Sequence, residues 1–222
     1  MARTLTKAQI SADAGTRQRL IDVTRAFVQS QAGEDLAGLS VRKIAAEAGV
    51  APTSLYWHFG NRRGLLDAAL DAMIADLPSL VVRGTTPRRR ILSLCLSMRD
   101  QVKAAEPAHR LAQELGRVAE LSVPAQVLLA REVSAAGFTG PRALQATRSV
   151  LFVVGGLILI EDHYRHRRPG GPSSQEIWQS IEDPEVDSAL RTAMTSSEDS
   201  DALFAFTVER LLDGIFARCP DR

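Results

Sequence analysis

Between residues 39 and 61 the chain restricts its own path more tightly than anywhere else. Ser40 has the side chain of an N-cap and opens a short helix over residues 41–48 that turns Ile44 and Ala45 inward. Gly49 supplies the backbone freedom of a tight turn. Pro52 suits the first position of the next helix, where its missing N–H leaves nothing unsatisfied. That helix carries Leu55, Tyr56 and Trp57 and stops near Gly60. Two short helices about a glycine turn describe a helix-turn-helix, whose second helix is shaped to enter a DNA major groove.

The side chains suit that use. Over residues 36–64 Arg42, Lys43, Arg62 and Arg63 stand against Glu47 alone, a local excess of cations in a chain whose net charge is only +1. The excess lies at helix starts, where free N–H groups and the helix dipole also draw phosphate. Thr53, Ser54, Tyr56, Trp57 and His58 put hydrogen-bonding and flat groups into under two turns. Tyr56, Trp57 and His58 are adjacent, so they point in three directions and a small head cannot bury all of them. Leu55 and Phe59, four apart, face back and anchor the helix.

The flanking sequence reads as helix throughout. Residues 1–15 form an arm and Thr16 caps a helix running to about Gln31, with Leu20, Val23, Phe27 and Val28 at helical spacing and Gly33 just beyond its end. Asn61 caps a helix through Leu65, Leu66 and Ala69 to about Leu77. After Pro78 a polar connector over 83–87 leads to an amphipathic helix over 88–104, with Ile91, Cys95, Met98 and Val102 on one face. Pro107, Pro124 and residues 137–141 punctuate further helical segments. Residues 141–166 and 201–217 are the two most uniformly apolar helices, and 167–175 and 195–200 are polar breaks. With 5% aromatic residues and no alternating pattern, the chain is expected to be all-α: a head over 16–77 and a larger body over 78–222.

Composition narrows the setting. At 45% hydrophobic and 24% charged, the 222 residues can bury a sizeable core and remain in solution. Cys95 and Cys219 lie far apart in apolar stretches and read as free, buried thiols of a cytosolic protein. Residues 1–11 lack the apolar core of a signal peptide. The most apolar run, 150–160, falls short of the ~20 residues of a membrane span, so a cytoplasmic protein without membrane contact is expected. There is no Gly-rich phosphate loop, no Cys/His metal spacing and no nucleophile elbow, so neither catalysis nor a cofactor is expected.

The wording of the head resembles the TetR family of bacterial repressors. The resemblance rests on Thr16-Arg17, on Leu39-Ser40-Val41-Arg42-Lys43-Ile44-Ala45 with Gly49-Val50, on Leu55-Tyr56-Trp57-His58-Phe59, and on Asn61-Arg62-Arg63. Tyr56-Trp57-His58 and the run from Asn61 to Ala68 look like the tetracycline-repressor branch. Position by position, the resemblance implies that Arg42 reaches a base edge and that Ser40 and Lys43 hold phosphate. It further implies that Pro52, Thr53 and Ser54 touch bases, and that Tyr56 and His58 clamp the backbone with Trp57 beside them and Arg62 on a phosphate. Ala51 stands where many members have a capping serine.

The resemblance also implies a homodimer through about 141–166 and 201–217, reading two half-sites of double-stranded operator DNA, and a small-molecule inducer. Gly155 and Gly156 would allow close helix approach. Met98, Val102, Leu115, Leu128 and Phe152 are candidate lining residues, with His109 or Arg110 as a polar anchor. Tetracycline with magnesium is not expected, because Pro78 occupies the position of the ligand histidine and an apolar residue near Ile160 that of the acidic one. His163 and His166 beside Glu161 and Asp162 read as a solvated helix end rather than a metal site. An activator of the same fold, or a helical protein-interaction module, are the alternatives to a repressor.

Overall fold

The computed structural model describes residues 7–30, 39–165, 171–196 and 199–217. Eleven helices and no strand occur among them. In order they are α1 (Lys7–Ser30), α2 (Val41–Glu47), α3 (Pro52–Phe59), α4 (Arg62–Ala75), α5 (Pro87–Ala104), α6 (Glu106–Leu115), α7 (Val118–Ala135), α8 (Gly140–Arg165), α9 (Ser174–Gln179), α10 (Ser188–Met194) and α11 (Ser200–Phe216). The helices gather into two compact units, one of residues 1–81 and 97–128, the other of residues 82–96 and 129–222. The chain passes between them after Val81, within α5 and within α7.

The first unit is built on α1, α4 and α6, with the α2–α3 pair packed against α1 and α4. Its closed core holds Leu20 and Val28 of α1, Leu39 and Ile44, Leu55 of α3, Leu65, Leu66, Leu70 and Met73 of α4, and Ala108, Leu111, Ala112 and Leu115 of α6. Thr24 is buried among them at no cost, because its hydroxyl donates to the Leu20 carbonyl at 2.7 Å. The 16–77 head therefore shares its core with α6, a helix that sequence assigns to the body.

Helix boundaries in the head follow local chemistry. Ser40 sits at the N-cap of α2 with extended backbone, Gly49 takes a φ of 68°, and Pro52 opens α3. Gly60 ends α3 with a φ of 73°, and the Asn61 side chain accepts from the Gly64 N–H at 2.9 Å, capping α4. Gly64 has a second role that sequence did not suggest. A Cβ there would collide with the Phe59 carbonyl oxygen, so only glycine lets the first turn of α4 lie against the end of α3.

The start of α1 departs from expectation. The helix begins at Lys7, so Thr16 is an interior residue rather than a cap, and its hydroxyl accepts from Arg19 at 3.3 Å. Residues 7–15, read from sequence as part of an arm, are helical. Gln31 and Gly33, expected at the end of this helix, lie outside the described residues, as do His166 and Cys219.

In the second unit α8 packs along α11. Val150 and Val154 of α8 and Phe204, Val208 and Leu212 of α11 are buried, and the Phe138 and Phe216 rings meet edge to face at 5.6 Å. Arg88 pairs with Asp213, and Arg90 Nε donates to Glu132 at 2.6 Å. Pro124 does not break a helix as expected but lies inside α7. Helices α9 and α10 were not expected. α9 opens on a capping box of Ser173 and Glu176, so Ser174 and Gln175 belong to a helix rather than to the polar loop.

α8 is longer than its most apolar run suggested. By length and composition alone, Gly140–Tyr164 is apolar enough to cross a membrane, so the short-run argument from sequence does not stand. Much of it faces outward, with Leu144, Phe152, Leu159, Ile160 and Tyr164 exposed. Gly155 and Gly156 have open space where a side chain would go, so nothing among the described residues packs closely against them.

Candidate nucleic-acid interface

α2 and α3 present an outer surface of residues that make little use of their polar groups internally. Ser40, Arg42, Lys43, Pro52 and Thr53 are exposed and Ser54 is half-buried. Lys43 lies with its ammonium 5.1 Å from the Phe27 ring centre, which holds it on the α1 side of α2. Tyr56 is exposed and Trp57 is 67% exposed, while Leu55 between the helices is fully buried. A large indole in water at a helix surface is costly unless something covers it. The arrangement offers a cation, hydroxyl groups and two aromatic faces along one short helix pair, fixed beneath by Leu39, Ile44 and Leu55.

Two of the expected contacts are placed differently. His58 is not on the outer surface: its side chain is 6% exposed, and Nε2 lies 3.4 Å from an Asp13 carboxylate oxygen of α1. Its ring meets that of Trp57 edge-on at 4.8 Å. The reason is register, because His58 falls one residue before Phe59 on the side of α3 that faces α1. Arg62 is engaged within the unit, with Nε donating to the Leu39 carbonyl at 3.2 Å and Nη2 3.8 Å from Glu114. Asp13 and Arg17, neither singled out from sequence for a role here, border the end of α3, and the Arg17 guanidinium lies over the Phe59 ring at 5.2 Å.

On the far side of the head, one face of α4 is tied to the turn between α6 and α7. Arg63 Nη2 donates to the Leu115 carbonyl at 2.6 Å. Arg117 follows the left-handed Gly116 and reaches Asp67 at 3.3 Å, Asp71 at 2.7 Å and Glu120 at 2.5 Å. Hydrogen bonds to Glu120 and Asp71 hold the Arg117 guanidinium charged well beyond its ordinary range, and Arg117 in turn lowers the Glu120 carboxyl. No local pattern in the sequence announces this cluster.

The candidate lining residues separate. Met98, Val102 and Leu128 are half-buried in the first unit, with His109 Nδ1 3.1 Å from the Ala105 carbonyl and Arg110 donating to the Val28 carbonyl at 3.2 Å. Leu115 is sealed into the core, packed there by α1 and α4. Phe152 is 76% exposed on the outward side of α8 in the other unit, so it does not line an interior site of this chain. Arg99, adjacent to Met98, is 4% exposed, a buried cation beside an apolar face that periodicity alone did not separate from the core. No group of three or more metal-binding side chains occurs among the described residues.

Residues 31–69 match the family model described as "Bacterial regulatory proteins, tetR family". The chain is 28% identical over 185 residues to the tetracycline repressor protein class A of Escherichia coli, spanning 82% of each chain. Its fold is similar to that of ActR of Streptomyces coelicolor, solved with actinorhodin, with a TM-score of 0.62 at 20% identity over 99% of this chain and 100% of that one. It is similar also to BioQ solved with its DNA operator, with a TM-score of 0.53 at 21% identity over 91% and 98% of the two chains. The head over residues 31–69 is thus similar to that of the tetR family of bacterial regulatory proteins, and the all-helical fold is similar to that of solved regulators.

Proposed function

We propose that the chain works in the cytoplasm as a dimeric repressor that occupies a palindromic operator and leaves it when a small molecule binds. The observation that carries this reading is the outward row Arg42, Lys43, Thr53, Tyr56 and Trp57 over a closed core. Arg42 is the base reader, Lys43 and Ser40 hold phosphate, and Pro52, Thr53 and Ser54 follow the base edges. Tyr56 and Trp57 flank the phosphate backbone. Related regulators support the two ligands of the cycle, since BioQ is solved with its operator and ActR with actinorhodin.

The exposed apolar surface of α8, together with Leu203 and Phe206 of α11, supports a second copy as the partner that covers it. Met98, Val102 and Leu128, with His109 and Arg110, are the residues assigned to the inducer. A shift of the α6–α7 turn reaches α4 through Arg63 and Arg117, and α4 abuts α3 at Gly64. A coupling of about 1–3 kcal/mol per site would suffice for induction. No catalytic step is proposed.

The test is selection of duplexes from a random DNA library by the full chain, followed by binding at rising salt. A palindromic site whose affinity falls steeply with salt supports the reading. Recovery of no preferred duplex, or salt-insensitive binding, would leave a protein-interaction module instead.

A further inference from the structure

Helix α1 carries an exposed cation that is fixed in place by a ring rather than by a carboxylate. The Arg17 guanidinium lies 5.2 Å from the centre of the Phe59 ring, at the last residue of α3. We infer that Arg17 is a phosphate-binding residue of the DNA interface, taking the place that the resemblance gives to Arg62. The inference rests on the DNA-binding reading.

Other arginines of α1 are engaged by the chain itself: Arg19 donates to the Thr16 hydroxyl at 3.3 Å, and Arg25 pairs with Asp76. Asp13, one turn before Arg17, has its carboxylate 3.4 Å from His58 Nε2. Among the described residues, Arg17 meets an aromatic ring and has no carboxylate within ion-pair reach. A ring occupies one face of a guanidinium, whereas the N–H donors lie in its plane. The stack therefore steadies the side chain and leaves the donors to an incoming anion.

Position makes that anion a DNA phosphate. Tyr56 is exposed and falls three residues before Phe59, so the two side chains are neighbours along one side of α3. Tyr56 flanks the phosphate backbone in the proposed complex, and Arg17 continues that contact past the end of α3. The start of α4 follows directly. The Asn61 N–H donates to the Phe59 carbonyl at 2.8 Å, and the Asn61 side chain caps α4, whose first turn is its electropositive end. Arg62, the cation expected at this place, is engaged within the unit instead, by the Leu39 carbonyl at 3.2 Å and Glu114 at 3.8 Å.

The experiment follows binding of the full chain to the selected duplex and to an unrelated one across a salt series, for wild type, Arg17→Lys, Arg17→Met and Arg17→Gln. Arg17→Met covers the ring without a charge. It should keep a Tm close to wild type and bind both duplexes about three- to tenfold more weakly at about 0.1 M salt. Its plot of log affinity against log salt should lose about 0.9 of slope for each head bound. Arg17→Lys keeps the charge and should keep the slope. Arg17→Gln repeats the slope measurement should the methionine variant lose Tm. An uncharged variant that folds and retains the wild-type slope overturns the inference and leaves the DNA-binding reading intact, because Arg17 then acts by packing alone. Selection that recovers no duplex overturns both.

Discussion

Arg42 and Trp57 are both exposed, yet only Arg42 is assigned a base to read. On the proposed function, Arg42→Ala would remove a bidentate base contact and should lower discrimination at one operator position by about 1–3 kcal/mol, with Tm near wild type. Competition binding against duplexes mutated at single positions checks this, and a collapse of folding would instead make Arg42 structural. Cys95 offers a residue-scale control. Burial pushes its thiol up to about 12, so at ordinary pH it is protonated and a poor nucleophile. In the native protein it should resist a thiol reagent near neutral pH and react as soon as denaturant opens the chain. The residues legible in sequence were those acting through local backbone: Ser40, Gly49, Pro52 and Asn61 each announce a helix end. The partners that hold His58 and Arg117 were not legible, because contacts between distant segments leave no periodic trace.

At the scale of the element, the head's helices were legible because each short helix has a terminal signal and a buried face of a few residues. The start of α1 was misplaced because Thr16 looks like a cap, although the helix already runs from Lys7. α9 and α10 were hidden in polar sequence with no buried residue to give a period. The joint between α3 and α4 yields a firm expectation. Gly64→Ala places a methyl against the Phe59 carbonyl and should cost about 1–3 kcal/mol through overpacking, read as a lowered Tm together with weakened operator binding. Arg117→Ala removes three carboxylate contacts, two to α4 and one to the start of α7. It should lower Tm, with the difference shrinking as salt is raised, and should blunt the response to inducer.

For the whole molecule, what sequence conveyed about α8 was its apolar character but not the direction in which it points. The resemblance implied a second copy against this helix, and Phe152, Leu159 and Ile160 are exposed on the single chain. Phe152→Glu places a charge on that surface and should shift the protein to monomers in sedimentation, with operator affinity falling at least tenfold, about 1.4 kcal/mol or more. Wild-type dimerisation by this variant would move the interface elsewhere.

That outward apolar helix also bears on gene dosage. If paired chains alone can occupy the operator, then at scarce expression the number of competent pairs grows with the square of the number of chains made. Halving synthesis would then cut repression by more than half, and newly made chains would depend on meeting one another before α8 meets anything else apolar. The regulator would thus sense its own abundance through the same surface that assembles it.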